Sequence, residues 1–367
     1  MDILLIALAD VSRDARTLNA ARTLASAGYR VGILAAGSLA AEAGITHFRW
    51  DDPGGRAWRR WQSLTRAAAT LDVRPRVIGA MDFFAMQAAL LVQRRSHARI
   101  VYDAREFYFA LGPLQGRGWR QRVLGWLESR YVRRADVITV SGPLDADVLA
   151  ERYRLKQHPA VILNAPPYAE AVASTLLRRR ASVPDDALVL LYQGVVHHGR
   201  GLMPLLEAMP LMANVHLCII GDGPALQPLQ HVAAARGVSD RVHWLGAIPY
   251  DDLHVWTCGA DIGVTLIEDV SMSYAYALPN KFFEYMRARI PQIVSDLPAL
   301  HDVVQRYPVG LLVEPTLRPT AIVDAVDRLR RNETRAAFAA QCEAIRDVCY
   351  ERQASVVLDV YASQMER

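Results

Sequence analysis

Short apolar runs alternate with longer segments of helical periodicity along most of the chain. Ile3–Ala7 is continuously apolar, as expected of a strand buried on both faces of a sheet. In the next segment Leu18, Ala21 and Leu24 recur at helical spacing, and Tyr29–Leu34 predicts a second strand. This alternation is typical of βα units built around parallel sheets.

The strand-like runs form two series, which a proline-containing linker separates. Later strands of the first series are predicted at Val77–Gly79, Ile100–Tyr102, Val137–Val140 and Val161–Leu163. Strands of the second series are predicted at Ala187–Tyr192, Val215–Ile220, Val242–Leu245, Ile262–Leu266, Gln292–Val294 and Gly310–Val313. Pro166 and Pro167 mark the linker. We therefore predict an α/β protein with two Rossmann-like, doubly wound parallel-sheet domains at 1–165 and 166–350, followed by a helix at 351–367.

Composition agrees with a folded protein of two domains. The 367 residues are 52% hydrophobic and 22% charged, which excludes a disordered or fibrous chain. The net charge of +4 is too small for a dedicated nucleic-acid-binding protein, so no nucleic-acid partner is expected. The four cysteines include no CxxC pair, which favours buried thiols over disulfides or a zinc site.

The start of the chain and its hydropathy bear on its location. No apolar stretch approaches the roughly 18–20 residues that span a bilayer. The first apolar run ends at Asp10 without a basic leader or a small-residue cleavage site. We therefore expect a cytoplasmic protein.

The most informative chemistry lies in a predicted helix after Pro279. Its first N–H groups and the positive end of its dipole form an anion site, and Lys281, one of only two lysines, lies in its first turn. Glu284 follows three residues later on the same face, where its carboxylate could accept hydrogen bonds from sugar hydroxyls. The alternative is an ordinary surface Lys–Glu pair.

Residues 279–286 (PNKFFEYM) and 290–296 (IPQIVSD) resemble the donor-site signature of family 4 glycosyltransferases of the GT-B fold. Residues 192–202, 219–224 and 242–246 are similar to the strand–loop segments of that family's donor domain. The resemblance covers nearly the whole chain. It implies two domains that face a cleft, with the C-terminal helices returning to the first domain.

The resemblance implies that the C-terminal domain binds a nucleotide-diphosphate sugar. Glu284 would hold the ribose, while Arg200, Lys281 and nearby amides would stabilise the leaving diphosphate without a metal or other cofactor. Gly194 would let the backbone approach the ligand closely. The other donor-side residues expected from the family are Gly201, Gly221, Gly246, Tyr276, Pro279 and Asn280.

Candidate residues of the acceptor side lie in the N-terminal domain. The family's Asp-x-His-Glu motif appears here as Asp103-Ala104-Arg105-Glu106, and we assign its three polar residues as candidate catalytic groups. Segments matching the family's acceptor border contain Asp10, Arg13 and Arg16.

Two positions depart from the family pattern: arginine replaces the histidine at 105, and Tyr276 stands where a glutamate is common. Arg105 cannot act as a base at neutral pH. The two departures fit either a subfamily with different sugar contacts or a loss of catalysis.

The implied activity is transfer of a sugar, with retention at the anomeric carbon, to a glycan or lipid-linked acceptor in bacterial surface polysaccharide or glycoconjugate synthesis. Two alternatives stay open. A nucleotide-sugar epimerase of the same fold would turn over the donor without an acceptor. A non-catalytic protein would bind the nucleotide sugar only.

Two further segments each have two interpretations. Residues 116–134 carry Trp119, Val123, Trp126, Leu127 and Tyr131 at helical spacing among arginines that include Arg117. The pattern favours a core-packing helix with a solvated basic face, and the alternative is peripheral contact with an anionic membrane at the inner face of the cell membrane. Residues 145–147 (DAD) resemble the metal-binding motif of another glycosyltransferase fold, and we interpret them as structural because acids are favoured at a helix start.

Overall fold

A computed structural model describes residues 1–111 and 118–366, which form two compact units. The first unit comprises Met1–Leu163 together with Tyr350–Arg367, and the second comprises Asn164–Cys349. Within the described residues, no helix has both the length and the apolar character needed to cross a bilayer.

Unit 1 is built on a parallel sheet of seven strands. The strands are β1 (Ile3–Asp10), β2 (Val31–Ala36), β3 (Ile45–Arg49), β4 (Val77–Ala80), β5 (Arg99–Ala104), β6 (Val137–Val140) and β7 (Ala160–Val161), in the spatial order β3-β2-β1-β4-β5-β6-β7. The helices between them are α1 (Ala15–Ser26), α2 (Ala57–Thr70), α3 (Ala85–Ser96), α4 (Gly118–Val132) and α5 (Pro143–Tyr153). Every strand pair is parallel, because each connection crosses over the sheet.

The edge strand β3 is the element of this sheet that the sequence did not predict. It pairs with β2 from Val31↔Ile45 to Ala35↔Arg49. Its side chains are only partly buried because it has one neighbour, and Thr46 and His47 interrupt its apolar character. Apolar runs therefore identified the central strands and missed this polar edge.

Unit 2 has a parallel sheet of six strands. These are β8 (Leu188–Gln193), β9 (Val215–Ile220), β10 (Val242–Gly246), β11 (Ile262–Thr265), β12 (Gln292–Ser295) and β13 (Gly310–Val313), in the order β10-β9-β8-β11-β12-β13. Its helices are α6 (Leu176–Arg180), α7 (Leu202–Ala208), α8 (Leu226–Ala235), α9 (Tyr250–Thr257), α10 (Met272–Ala275), α11 (Asn280–Arg287), α12 (Pro298–Arg306), α13 (Pro319–Leu329), α14 (Asn332–Gln341) and α15 (Ile345–Val348). The predicted class of two Rossmann-like parallel sheets is thus confirmed.

The last helix, α16 (Tyr350–Met365), completes the core of unit 1. Its Val357, Val360 and Tyr361 join the apolar cluster formed by β1, β2 and α1. The Tyr350 hydroxyl lies 3.0 Å from the Thr23 hydroxyl, a second link to α1. Apolar burial and hydrogen bonding therefore both attach this helix to the first unit.

The structure corrects the prediction that the apolar stripe of α4 packs into the core. Trp119, Val123 and Trp126 are exposed, whereas Tyr131, at the end of the predicted stripe, is buried together with Glu128. The inward face is thus occupied by the Glu128 side of the helix. Gly116 and Arg117 lie outside the described residues.

The cysteine prediction is largely confirmed. All four cysteines are free thiols, and Cys218, Cys342 and Cys349 are buried. Cys258 is only half-buried. Burial raises the pKa of Cys218 and of Cys342 to about 12, so both stay protonated at neutral pH.

Candidate functional site

Tyr285 fixes α11 at the carboxyl end of the unit 2 sheet. Its ring packs on Gly263 of β11, where a Cβ would lie 2.4 Å from the ring, so only glycine leaves the space. Its hydroxyl donates to the Leu191 carbonyl at 2.8 Å and accepts the N–H of Gln193 at 3.2 Å. These contacts bring Lys281 and Glu284 to the end of β8, the edge at which Rossmann-like sheets bind ligands.

Lys281 is buried, but it forms no ion pair with a carboxylate in the part of the chain that the structure describes. Its Nζ lies 3.4 Å from the centroid of the Tyr192 ring, a cation–π contact. Burial lowers the pKa of Lys281 well below its usual range, and the nearby Arg200 lowers it further while Glu284 opposes the shift. A bound anion would relieve this cation.

Glu284 is 6% exposed and accepts a hydrogen bond from the Gln193 side-chain amide. The Gln193 carbonyl oxygen lies 2.9 Å from the Thr257 hydroxyl of α9. Burial raises the pKa of Glu284, and the hydrogen bond from Gln193 and the charges of Arg287 and Lys281 only partly offset that rise. The sequence analysis assigned no role to Gln193 or Thr257, although a glutamine at the end of an apolar strand was a visible signal.

Three predicted glycines meet where β8, β9 and β10 end. The N–H of Gly194 donates to Ile220 at 2.9 Å, and that of Gly221 donates to the Gly246 carbonyl at 2.8 Å. Gly221 has a φ of +141°, and a Cβ there would lie 1.9 Å from the Gly194 carbonyl oxygen. A Cβ on Gly194 would lie 3.7 Å from Cε of Lys281, so this loop borders the buried cation.

Arg200 and Gly201 belong to the loop that precedes α7, and they make different contacts. The Arg200 guanidinium lies 4.8 Å from the centroid of the Tyr274 ring and remains half-buried. Gly201 adopts a φ of +69°, and its N–H donates to the Glu268 carboxylate at 3.2 Å. Gly201 therefore shapes the loop, whereas Arg200 adds positive charge beside Lys281.

The remaining predicted donor-side residues lie between α10 and α11. Pro279 precedes α11 with an extended backbone, and the exposed Asn280 is the first residue of the helix. Tyr276 follows α10, where its N–H donates to the Met272 carbonyl at 3.1 Å. This connection delivers Lys281 to the first turn of α11, as the sequence predicted.

In unit 1 the structure brings Asp103 and Arg105 together with Arg16. Arg16 binds both carboxylate oxygens of Asp103 at 2.7 Å and also reaches the Ile162 carbonyl. Arg105 donates to Asp103 at 3.0 Å, and Thr139 donates to the same carboxylate at 2.8 Å. Burial alone would raise the pKa of Asp103, but the two guanidinium groups lower it to about 2.

Asp14 closes this network on the other side of Arg105. It accepts two hydrogen bonds from Arg105, at 2.9 and 3.0 Å, and caps α1 by accepting the Thr17 N–H. Burial would raise the pKa of Asp14, but Arg105 and Thr17 lower it. Asp82 lies near Arg105 and Asp14, and burial raises its pKa. Arg105 is thus engaged by carboxylates of the protein itself.

The other acceptor-side candidates are Asp10, Arg13 and Glu106. Asp10 accepts from Ser12 and packs against Gly37, where a Cβ would lie 2.0 Å from its carboxylate oxygen. Arg13 and Glu106 are exposed. Asp10 is therefore a structural cap, while Arg13 and Glu106 present charge to solvent.

The DAD segment at 145–147 lies in α5, and the described residues contain no group of three or more His, Cys, Asp or Glu side chains that could hold a metal ion. Asp145 is buried and accepts from Ser141 at 3.0 Å. Asp147 is exposed and lies 3.0 Å from His158. The two carboxylates thus face different surroundings.

Comparison with known families decides the identity of the chain. The family model described as "Glycosyl transferases group 1" matches residues 174–344, and the "Glycosyl transferase 4-like domain" matches residues 14–166. The two matches together cover most of both units. The chain belongs to the group 1 glycosyltransferases.

Curated relatives of this group 1 glycosyltransferase are distant. It is 24% identical over 221 residues to alpha-D-kanosaminyltransferase of Streptomyces kanamyceticus, covering 56% of this chain and 53% of the relative. It is 28% identical over 301 residues to D-inositol 3-phosphate glycosyltransferase of Xylanimonas cellulosilytica, covering 77% and 70%. The chain thus spans about half the length of the first of these relatives.

Solved structures share the architecture of the group 1 glycosyltransferase at low identity. Sucrose-phosphate synthase of Thermosynechococcus elongatus superposes with a TM-score of 0.84 at 17% identity, covering 99% of this chain and 98% of the other. HepE of Anabaena, in a complex with UDP-glucose, gives a TM-score of 0.75 at 14% identity, covering 99% and 100%. These likenesses establish the GT-B fold class.

Proposed function

We propose that the protein transfers a sugar from a nucleotide-diphosphate sugar to a glycan or lipid-linked acceptor. Unit 2 binds the donor at the ends of β8, β9 and β10, next to α11. The observation that carries the proposal is the buried Lys281 ammonium, which packs on Tyr192 and forms no carboxylate ion pair within the described residues. A diphosphate would supply the missing anion.

The surrounding groups suit the other parts of a donor. Glu284 offers a carboxylate three residues from Lys281, and ribose hydroxyls are donors for such a group. Arg200 adds a second cation, so that charge developing on the leaving diphosphate is stabilised by fixed side chains and by the N–H groups of α11. The solved HepE complex with UDP-glucose has the same fold and supports a donor of this class.

The proposal includes transfer without a metal and with retention. Arg200 and Lys281 supply the positive charge that a divalent ion would bring to a diphosphate. Retention follows from the resemblance to family 4, and the anomeric configuration of the isolated product, measured by NMR, tests it. A role in bacterial surface polysaccharide or glycoconjugate synthesis rests on the same resemblance.

In unit 1 we propose that Asp103 and Arg105 support the acceptor side rather than exchange protons. The pKa of Asp103 is held near 2, so its carboxylate is ionised at neutral pH and unable to serve as an acid. Arg105 is bound to Asp14 and Asp103. The exposed Glu106 and Arg13 are the candidates for direct acceptor contact.

A binding assay tests the donor site. We expect one of UDP, ADP and GDP, with its sugar conjugates, to raise the melting temperature. Lys281→Ala should weaken that ligand by about 10–100-fold and Glu284→Ala by about tenfold, since each removes a charge-assisted contact. Asp251→Ala, on an exposed residue of α9, is the control. Unchanged affinity in both site variants would refute the pocket.

A turnover assay separates the alternatives. Transfer to an added glycan or lipid-linked sugar, or slow donor hydrolysis without one, supports the transferase. Interconversion of the donor sugar without an acceptor supports an epimerase. Nucleotide-sugar binding without either reaction supports a non-catalytic protein.

We further propose that the exposed face of α4, formed by Trp119, Val123 and Trp126, contacts an anionic membrane. These side chains are 66%, 47% and 57% exposed and recur at helical spacing. Glu128, the only acid of α4, is buried on the opposite face. Tryptophans prefer the interface of a bilayer, and such a face carries an energetic cost in water.

The charge around this face supports an anionic partner. Arg120 lies 5.2 Å from the Trp119 ring centroid, and Arg130 lies 4.9 Å from that of Trp126. Exposed arginines also stand at Arg122, Arg133 and Arg134. Each basic residue near an anionic leaflet contributes about 1 kcal/mol. The tryptophans would enter the interface while the arginines bind lipid phosphates.

Vesicle sedimentation of the full chain tests this surface. We expect binding to phosphatidylcholine vesicles that contain phosphatidylglycerol, weakening with salt, and little binding to phosphatidylcholine alone. Replacing both Trp119 and Trp126 by serine should reduce binding at least about tenfold. Leu211→Ser, on an exposed leucine of unit 2, is the control. Equal failure with both vesicles, or unchanged binding by the double variant, would overturn the proposal.

A further inference from the structure

We infer that Gln193 is a positioning residue, held by Thr257, that aims the Glu284 carboxylate at the ribose of the donor. The inference rests on the proposed function, because it concerns the carboxylate that we assign to the ribose. It adds two residues to which the family resemblance assigned no role. Neither is proposed to touch the ligand.

Three elements of unit 2 meet at the Gln193 side chain. Gln193 ends β8, Thr257 ends α9 and Glu284 lies on α11. The Thr257 hydroxyl lies 2.9 Å from the carbonyl oxygen of the Gln193 amide, and the amide nitrogen donates to Glu284. The same hydroxyl lies 2.8 Å from the Leu253 carbonyl oxygen, so its one hydrogen is shared between two acceptors. Because the Glu284 carboxylate only accepts, the NH₂ group of the amide must face it, and the amide oxygen then faces Thr257. The hydroxyl therefore anchors the oxygen end of the amide.

Burial makes this arrangement specific. Gln193 and Thr257 are each 1% exposed, so neither can reach a ligand directly or exchange its partner for water. The Gln193 backbone is also fixed, because its N–H donates to the Tyr285 hydroxyl at 3.2 Å. A carboxylate with one immobile donor on its protein side keeps its remaining lone pairs directed elsewhere. Those lone pairs are what ribose hydroxyls would use.

The same unit contains a second threonine–glutamine pair that serves as an internal control. The Thr265 hydroxyl lies 2.7 Å from the Gln292 amide oxygen, and the Gln292 amide nitrogen donates to the Phe282 carbonyl at 3.0 Å. Both residues are fully buried, like the first pair. The two pairs differ in what the amide holds: a carboxylate in one and a backbone carbonyl in the other.

The experiment compares Thr257→Val, Thr257→Ser and Thr265→Val. The ligand is whichever of UDP, ADP and GDP binds the wild-type chain most tightly, together with its 2′,3′-dideoxy form, which lacks the ribose hydroxyls. Affinities are measured by titration calorimetry, and folding is checked by thermal unfolding. Valine deletes the hydroxyl at nearly constant volume, while serine retains it.

We expect Thr257→Val to weaken the ribonucleotide about three- to tenfold, the range of one hydrogen bond, and to leave the dideoxy ligand unchanged. Thr257→Ser should restore the wild-type ratio of the two affinities. Thr265→Val should lower the melting temperature without changing that ratio. This pattern assigns the hydroxyl to ribose binding rather than to general stability.

The contrary outcomes identify which claim fails. If Thr257→Val keeps the wild-type preference for the ribonucleotide, or weakens both ligands equally, the positioning role is overturned. If the wild-type chain binds the two ligands equally, the ribose contact of Glu284 in the proposed function is refuted instead. Should Thr257→Val fail to fold, the weaker variant Thr257→Ala is measured by the same ratio.

Discussion

Both units carry buried charged side chains near the carboxyl ends of their strands, but these charges have different partners. In unit 1, Asp103 ends β5 in ion pairs with Arg16 and Arg105, and Arg105 also binds Asp14. In unit 2, Lys281 lies on an aromatic ring without a carboxylate ion pair among the described residues. The charges of the unit 1 network thus compensate one another, while Lys281 in unit 2 has no carboxylate partner among the described residues.

This difference distinguishes a structural network from a binding site. Both sets of groups are buried and have shifted pKa values, so burial and pKa alone would mark them equally as functional. The criterion that separates them is whether the charges compensate one another within the fold. By that criterion the motif around Asp103 stabilises unit 1, and the groups around Lys281 suit the proposed donor site.

The largest effect is expected from breaking the complete network. Arg105→Met would leave Asp14 and Asp103 buried with less compensation and should lower the free energy of unfolding by about 3–5 kcal/mol. Urea unfolding measures it. Arg49→Met, which removes an exposed ion pair with Asp51, should cost less than about 0.5 kcal/mol. Equal costs for the two variants would contradict a structural role for Arg105.

Removing the charge of Lys281 should change the free energy of unfolding in the opposite direction. Lys281→Met removes a buried ammonium and should raise the unfolding free energy of the ligand-free chain by about 1–2 kcal/mol, while abolishing the stabilisation by nucleoside diphosphate. Thermal unfolding with and without ligand measures both effects. A destabilised ligand-free variant would mean that the protein already compensates this cation.

The pH dependence of that variant follows from the lowered pKa of Lys281. Between the folded-state pKa and the ordinary value near 10.5, the unfolded wild-type chain binds more protons than the folded one. Wild-type stability from this group therefore increases as the pH rises. The advantage of Lys281→Met over the wild type should shrink over the same interval.

The smallest effect is expected at Glu128, a buried acid of unit 1 that accepts from the Tyr153 hydroxyl at 2.7 Å. Burial raises its pKa from 4.5 to about 7, so the stability that it contributes is present below pH 4.5 and is lost as the pH rises through 7. Relative to the wild type, Glu128→Gln should therefore be more stable at pH 8 than at pH 4, where the carboxyl group is largely protonated in both states. Urea unfolding at both pH values measures this.

Asp145 provides a control for that measurement, because burial raises its pKa to about 7 as well. Asp145→Asn should reproduce the flattening of the pH profile, and the two variants together should exceed either one. An unchanged profile in Glu128→Gln would mean that its carboxyl stays ionised in the fold. Burial would then not raise the pKa of Glu128.

Much of the fold could be predicted from the sequence because central strands of parallel sheets are continuously apolar. β9 and β13 match their predicted bounds, and β8 differs by one residue at each end. The edge strand β3 was missed because half-buried polar positions carry a weak signal. The outward face of α4 was also misjudged, because periodicity defines a stripe without saying which side of the helix the core takes.

Residues that share a local motif could be recognised in the sequence, whereas contacts between distant segments could not. Lys281 and Glu284 share one helical face and were visible in the sequence. The partners of Arg105 lie 91 and two residues away, and those of Gln193 lie 64 and 91 residues away. Only the three-dimensional structure could show that Arg105 is already paired and that Gln193 holds Glu284.

The position of α16 determines how the two units can be expressed separately. Unit 2 is inserted between Leu163 and Tyr350, and the Leu163 N–H donates to Gln353 at 3.0 Å, so the two severed ends of unit 1 lie side by side. A short loop that joins Leu163 to Tyr350 should therefore yield unit 1 alone. Residues 164–349 should be expressible as unit 2. Truncation after residue 163 would instead remove α16, whose apolar side chains form part of the unit 1 core.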